Sequence, residues 1–105
     1  MSQLSEPPKA FSSFVETFPN LGESWKLSQE AGKEGPLDEK TSRLAKLAVA
    51  IGAMREGAVH SSVRKALALG ITEEEILQVV ALAAGTLGFP SAVAVFCWVK
   101  DITDG

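Results

Sequence analysis

Apolar residues recur along this chain at helical spacing, between short breaks rich in polar residues, glycine and proline. The segment AFSSFVETF, residues 10–18, carries its large apolar side chains at i, i+3, i+4 and i+7, namely Phe11, Phe14, Val15 and Phe18. This spacing places them on one face of a helix. A second helix is predicted from Pro19 to about residue 29, before the breaker-rich AGKEGP at 31–36.

Helix boundary signals divide the middle of the chain. Asp38 is a predicted N-cap, and the apolar run that starts at Leu44 predicts a third helix to about Met54. A fourth helix is predicted to end at Leu69, because Gly70 can adopt the left-handed conformation that often follows a helix.

The last third of the chain predicts two more helices. Thr72 and Glu75 have the T-x-x-E spacing of a capping box and open a fifth helix that reaches about Leu87. Pro90 suits the first turn of a sixth helix, SAVAVFCWVKDI, although VAVFCWV alone is compatible with a buried strand. We predict an all-α fold of about six helices.

The length of 105 residues favours one domain with one core. Within it, residues 1–35 are interpreted as an N-terminal helical lead-in, whose first nine residues are loose and contain Pro7 and Pro8, and residues 36–105 as the core.

Three of the predicted helices are apolar around nearly their whole circumference: LAKLAVAIGAM, ILQVVALAAGTLGF and SAVAVFCWV. A small monomer cannot bury the apolar surface of three such helices, since a helix at the surface needs a polar face toward solvent. We therefore expect a homo-oligomer whose subunits bury these faces against one another.

Charge and composition exclude several classes of partner. The net charge is −3, the ten Lys and Arg residues are spread along the chain, and aromatic residues are few, so nucleic acid is not an expected partner. The N-terminal MSQLSEPPKAF has no basic segment followed by an apolar run, and no apolar stretch is long enough to span a bilayer. A cytoplasmic protein without membrane contact is expected.

The chain contains one cysteine, Cys97, and one histidine, His60. One cysteine excludes an intrachain disulfide and an intrachain CxxC redox pair. A metal would have to be held largely by carboxylates or shared between subunits, so no metal and no other cofactor is predicted.

Two stretches of this chain together resemble the carboxymuconolactone decarboxylase-like superfamily, which includes the AhpD-type alkylhydroperoxidases. They are LDEKTSRLAKLAVAIGA and, after a short break, VRKALALGITEEEILQVVALAAGTLGFPSAVAVF. The resemblance covers about residues 36–100, and its most specific part is SVRKALALGITEEEILQVVALAAGTLGFPSA. It implies an all-helical subunit that assembles into trimers or larger rings, with active sites near subunit interfaces.

The resemblance does not extend to AhpD-type chemistry. AhpD-type enzymes use a CxxC pair, a His and a proton-relay Glu. At the matching positions this chain has Arg55 and Ala58 in place of the two Cys, Ser62 in place of the His and Arg43 in place of the Glu. A dithiol peroxidase needs one thiolate to attack the peroxide and a second thiol to resolve the product. Dithiol alkylhydroperoxidase activity is therefore disfavoured, and Cys97, among apolar neighbours, is interpreted as a core residue.

Some members of the decarboxylase branch carry an Arg-Glu pair that Arg55 and Glu56 match, while their His again falls on Ser62. A shift of two residues would align His60 instead. That shift rotates a helix by about 200° and misplaces the matched downstream segment. His60 is therefore interpreted as a residue with a role different from that of the family's His.

Glu56, His60 and Arg64 are spaced i, i+4, i+8 and share one helical face. In a catalytic interpretation, Glu56 orients His60 as a general acid or base, and Arg64, Arg55 and Ser62 contribute to binding an anionic substrate. The alternative is a solvated face of ion pairs worth a few tenths of a kcal/mol each.

Two functions are compatible with these residues. One is an enzyme of the decarboxylase or isomerase kind, which acts on a small carboxylate or lactone by proton transfer. The other is a noncatalytic oligomeric binding protein that keeps the scaffold and a pocket for a small anion.

Overall fold

The computed structural model describes residues 9–105, which form six α-helices and, within that range, no strand. The helices are α1 (Lys9–Thr17), α2 (Pro19–Ala31), α3 (Glu39–Gly52), α4 (Glu56–Ala68), α5 (Glu73–Leu87) and α6 (Phe89–Thr103). The prediction of an all-α fold of about six helices is confirmed. The loose lead-in predicted for residues 1–9 lies outside the described residues except for Lys9, which begins α1.

The described residues divide into two compact units, residues 9–37 and residues 38–105. In the first unit, α1 and α2 are joined at Phe18, and Pro19 opens α2 as expected of a residue that lacks a backbone donor. The rings of Phe11 and Trp25 meet edge to face with their centroids 5.0 Å apart.

The second unit is a four-helix core. Helix α4 packs against α3 and α6, and α5 packs against α3 and α6. The fully buried side chains come from all four helices: Leu47, Ile51, Val59, Val63, Ile76, Val95 and Val99. Because α4 and α6 share this core, polar side chains at the edges of their contact are held close together.

The helix boundaries follow the local signals in the sequence. The Asp38 carboxylate accepts a hydrogen bond from the Thr41 amide at 2.7 Å and caps α3. Thr72 and Glu75 form the predicted capping box, with the Glu75 amide 3.1 Å from the Thr72 hydroxyl and the Thr72 amide 3.0 Å from the Glu75 carboxylate. Gly70 has φ of 93°, so it takes the left-handed conformation predicted after α4.

The turn between α3 and α4 contains the one feature of local backbone strain at a non-glycine residue within residues 9–105. Met54 has φ of 55°, a conformation that disfavours L side chains. The Met54 amide bonds the Ile51 carbonyl at 2.9 Å and the Arg55 amide bonds the Ala50 carbonyl at 3.3 Å, a pattern that closes many helices, and the Met54 side chain packs against the core. Helix α3 ends two residues earlier than expected, at Gly52, and the turn places Glu56 at the first position of α4.

The structure corrects the interpretation of Cys97, which is exposed rather than part of the core. On α6 the fully buried positions are Val95 and Val99, four residues apart. Cys97 lies two residues from each of them, and two residues rotate a helix by about 200°, so its side chain points away from the core.

Among residues 9–105, no helix combines the length and the apolar character needed to cross a membrane.

Candidate functional site

The histidine on α4 and an aspartate on α6 form a hydrogen-bonded pair. His60 Nε2 lies 3.0 Å from Asp101 Oδ2, a distance suited to a charge-assisted hydrogen bond. The His60 side chain is 23% exposed and the Asp101 side chain 54% exposed. The imidazole is therefore held on one side by a carboxylate while part of its ring remains accessible.

Glu56 completes the cluster one helical turn before His60. Glu56, His60 and Asp101 each offer one potential ligand atom, and these three atoms lie within 4.8 Å of one another. The i, i+4 spacing on α4 brings Glu56 to His60, and the packing of α6 on α4 brings Asp101 to both. The structure thus places two carboxylates and one imidazole at one edge of the α4–α6 contact.

Asp101 is the member of the cluster that the sequence did not single out. The sequence predicted that Glu56 orients His60, whereas in the structure the hydrogen-bond partner of His60 is Asp101. The two residues are 41 positions apart, and no local motif connects them. The pairing depends on how α6 packs against α4, which periodicity alone does not specify.

Of the three predicted substrate-binding residues, Arg64 lies on the same helical face as His60, and Arg55 and Ser62 do not. Arg55 is exposed and occupies the N-cap of α4, without a side-chain capping bond. Ser62 is 7% exposed, two residues from His60, and so faces about 200° away on the same helix. Arg64 is partly buried and lies one turn beyond His60, as its spacing predicts.

A cluster of positive charge involves α3 and α4. Burial lowers the pKa of Lys65, and the neighbouring charges of Arg43, Lys46 and Arg64 lower it further. Burial also lowers the pKa of Arg43. Arg43 stands where the resemblance to AhpD-type enzymes would place a proton-relay Glu, so a cation among other cations replaces an acid at that position.

Comparison with known proteins supports the interpretation of the fold. The family model described as the Carboxymuconolactone decarboxylase family matches residues 19–101. A structural neighbour is the crystal structure of the apo form of a carboxymuconolactone decarboxylase family protein from Legionella pneumophila. It superposes with a TM-score of 0.79 at 25% sequence identity, over 98% of this chain and 94% of that one. No curated protein sequence matches this chain.

The chain belongs to the carboxymuconolactone decarboxylase family, because the family model spans most of its length. The resemblance identified from VRKALALGITEEEI and the segment that follows it is thereby confirmed.

Proposed function

We propose that this protein is a carboxymuconolactone decarboxylase-like enzyme that transfers protons on a small anionic carboxylate or lactone, with His60 as the general acid or base. The observation that supports this proposal is the contact of 3.0 Å between His60 Nε2 and Asp101 Oδ2 on a partly exposed imidazole. An imidazole oriented by a carboxylate is a common arrangement for proton transfer near neutral pH.

The pair assigns separate roles to the two ring nitrogens. An ionised carboxylate can only accept a hydrogen bond, so Nε2–H of His60 donates to Asp101. Nδ1 then carries the lone pair and can take a proton from a substrate carbon or oxygen. The Asp101 carboxylate stabilises the imidazolium that forms, and the same ring can return the proton to the product.

The positive charge near Arg64 suits an anionic substrate. Arg64 lies one helical turn from His60 and within electrostatic range of Lys65. A carboxylate drawn toward Arg64 would come close to the His60 ring. Glu56 supplies a second carboxylate beside the ring, whereas Arg55 at the N-cap and the buried Ser62 lie apart from the ring and take no part in this proposed site.

Assembly into a homo-oligomer belongs to the same proposal. Leu82 on α5 is 74% exposed and Phe89 on α6 is 80% exposed, and exposed apolar side chains that form a continuous patch often mark an interface. Between these helices runs an apolar groove lined by Leu77, Val80, Ala81, Ala84, Ala92, Val93 and Phe96. Burial of this surface between subunits would remove it from water.

A noncatalytic binding protein is the second candidate. It is favoured by the openness of the His60 site, because Asp101 is more than half exposed and a water-excluding cavity strengthens most catalytic electrostatics. AhpD-type peroxidase activity remains disfavoured, since Arg55 and Ala58 occupy the positions of its two thiols.

The test is a screen of small lactones and carboxylates for turnover by the purified, metal-stripped chain, with product detection by mass spectrometry. The variants are His60→Ala and Asp101→Asn, with Glu74→Gln as the control for loss of an exposed carboxylate outside the site. General acid or base catalysis contributes about 10²–10⁴-fold to a rate, so we expect His60→Ala to lower kcat by at least about a hundredfold.

Turnover that persists in His60→Ala would refute the assignment of His60. Saturable binding of an anion that no substrate in the screen converts, and that His60→Ala weakens, would favour the noncatalytic candidate.

A further inference from the structure

The cluster of Glu56, His60 and Asp101 sets two carboxylates against one imidazole. Within residues 9–105, the ion pair of Asp101 is with His60, and Glu56 has no ion pair. The two carboxylates converge with the imidazole within 4.8 Å, and a protonated imidazole supplies at most one positive charge against two negative ones. Like charges at this distance repel one another unless a cation lies between them.

The position of Asp101 in its helix adds a second, independent cost. It lies in the last turn of α6, where the exposed carbonyl groups make the helix end negative and a carboxylate is unfavourable. The neighbouring Lys100 does not relieve it, because its ammonium contacts Glu73 at 2.9 Å and Asp104 at 3.2 Å. A bound cation would offset both costs, since it would neutralise the two carboxylates and lie favourably at the negative end of the helix.

We propose that Glu56, His60 and Asp101 form a binding site for a divalent transition-metal cation, of which Zn²⁺ is the best probe. One imidazole nitrogen and two carboxylate oxygens are borderline and hard ligands that suit Zn²⁺, Mn²⁺ or Co²⁺. Ca²⁺ and Mg²⁺ prefer all-oxygen sites with more ligands. Three protein ligands would leave a coordination position for water or for an anion.

The geometry requires only side-chain movement. Ligand atoms around a four-coordinate Zn²⁺ are about 2.0–2.2 Å from the metal, so the three atoms must come closer together than the 4.8 Å that bounds them now. Glu56 and Asp101 are exposed, and their carboxylates can rotate without displacing the buried core. The backbone positions on α4 and α6 can stay as they are.

With a single Cys and a single His, the sequence predicted no metal, since a metal would need mostly carboxylate ligands. The structure assembles such a set from α4 and α6, two helices that are distant in sequence.

Metal binding and the proposed proton transfer would both use His60, and each can be tested without the other. Binding through Nε2 would break the hydrogen bond to Asp101 and leave the proton of the neutral ring on Nδ1. A protonated ring must first release one proton, so the affinity should fall in acidic buffer. A metal-bound His60 can no longer act as the acid or base described above. We therefore expect the cation to inhibit the proton-transfer activity of the metal-stripped protein.

The experiment is isothermal titration of the EDTA-stripped full chain with ZnCl₂, in two buffers that differ in ionisation enthalpy. We expect saturable binding of one cation per chain, and a buffer-dependent enthalpy in acidic buffer, where a protonated His60 must release its proton to bind the metal. His60→Ala, Asp101→Asn and Glu56→Gln should each weaken the affinity by more than about tenfold, since loss of even an outer-shell partner costs that much.

Two controls separate this site from adventitious binding. Glu74→Gln removes an exposed carboxylate outside the cluster, and Cys97→Ser removes the exposed thiol, so both should bind Zn²⁺ as the wild type does. Circular dichroism of each variant shows whether it keeps its helices.

The proposal is overturned if titration shows no saturable binding, or if Zn²⁺ affinity survives in a folded His60→Ala variant. It is also overturned if Cys97→Ser alone abolishes binding. None of these results affects the proton-transfer proposal, which is measured on metal-free protein.

Discussion

At the scale of single residues, the function proposed here depends on how one histidine is held. His60 could be placed from the sequence on the same helical face as Glu56 and Arg64, because i, i+4 spacing is a local property. Its partner Asp101 could not be found that way. A contact across 41 positions is decided by tertiary packing, for which one sequence offers no local signal.

The exposure of the pair predicts a separation between stability and activity. An ion pair as exposed as His60 and Asp101 contributes about 1 kcal/mol or less to the free energy of unfolding. Asp101→Asn should therefore melt close to the wild type in circular dichroism while it lowers activity or ligand affinity. Leu47→Ala, at a fully buried position, provides the contrast and should cost about 2–5 kcal/mol.

A fall in melting temperature for Asp101→Asn as large as that for Leu47→Ala would mean that the pair supports the fold. The case for a functional pair would then be lost.

The prediction that Cys97 is a core residue was wrong. Its neighbours are apolar, so averaging over them places it in the core, yet the rotation of α6 leaves it exposed between the buried positions Val95 and Val99. A helix that is apolar on all sides gives no contrast from which to decide which side faces inward.

At the scale of helices, the sequence was sufficient for most of the architecture. Three local signals act within a few residues, and each behaves in the structure as its motif predicts. They are the N-cap at Asp38, the capping box at Thr72 and Glu75, and the left-handed Gly70. The exception is the end of α3, where Met54 takes the left-handed position that Gly70 takes after α4, with the amides of Met54 and Arg55 bonded to the carbonyl groups of Ile51 and Ala50. The sequence has no glycine there to signal this turn.

The capping box predicts a specific response to acid. The hydrogen bond from Lys40 lowers the pKa of Glu75, and the backbone amide of Thr72 lowers it further. A folded-state pKa below the unfolded one means that the ionised group stabilises the fold above its unfolded pKa. This contribution is lost as pH falls through the folded value.

Glu75→Gln should accordingly reduce the melting temperature at neutral pH and have little effect once the pH is below the folded-state pKa of Glu75. Thermal melts of both proteins from pH 7 down to about pH 2.5 would show the two curves converging. A constant difference at every pH would mean that the charge of Glu75 is not what stabilises the start of α5.

At the scale of the whole molecule, the apolar surface of α5 and α6 argues for assembly. We expect light scattering of the purified chain to give a trimer or a multiple of three, and Leu82→Lys to shift the population toward monomer, because it places a charge in the proposed interface. Leu69→Lys is the matched control, since Leu69 is also exposed but lies at the end of α4.

A wild-type chain that is a stable monomer of 11.1 kDa at micromolar concentration would contradict this proposal.

Nitrogen NMR of the imidazole ring tests most directly whether Asp101 fixes His60 for proton transfer. The chain has one histidine, so the ring signals of the metal-stripped, ¹⁵N-labelled protein need no assignment. We predict that the neutral ring carries its proton on Nε2, that this proton is protected from exchange with water, and that Asp101→Asn removes the protection. A ring that carries its proton on Nδ1, or an Nε2 signal that is the same in wild type and Asp101→Asn, would contradict the account.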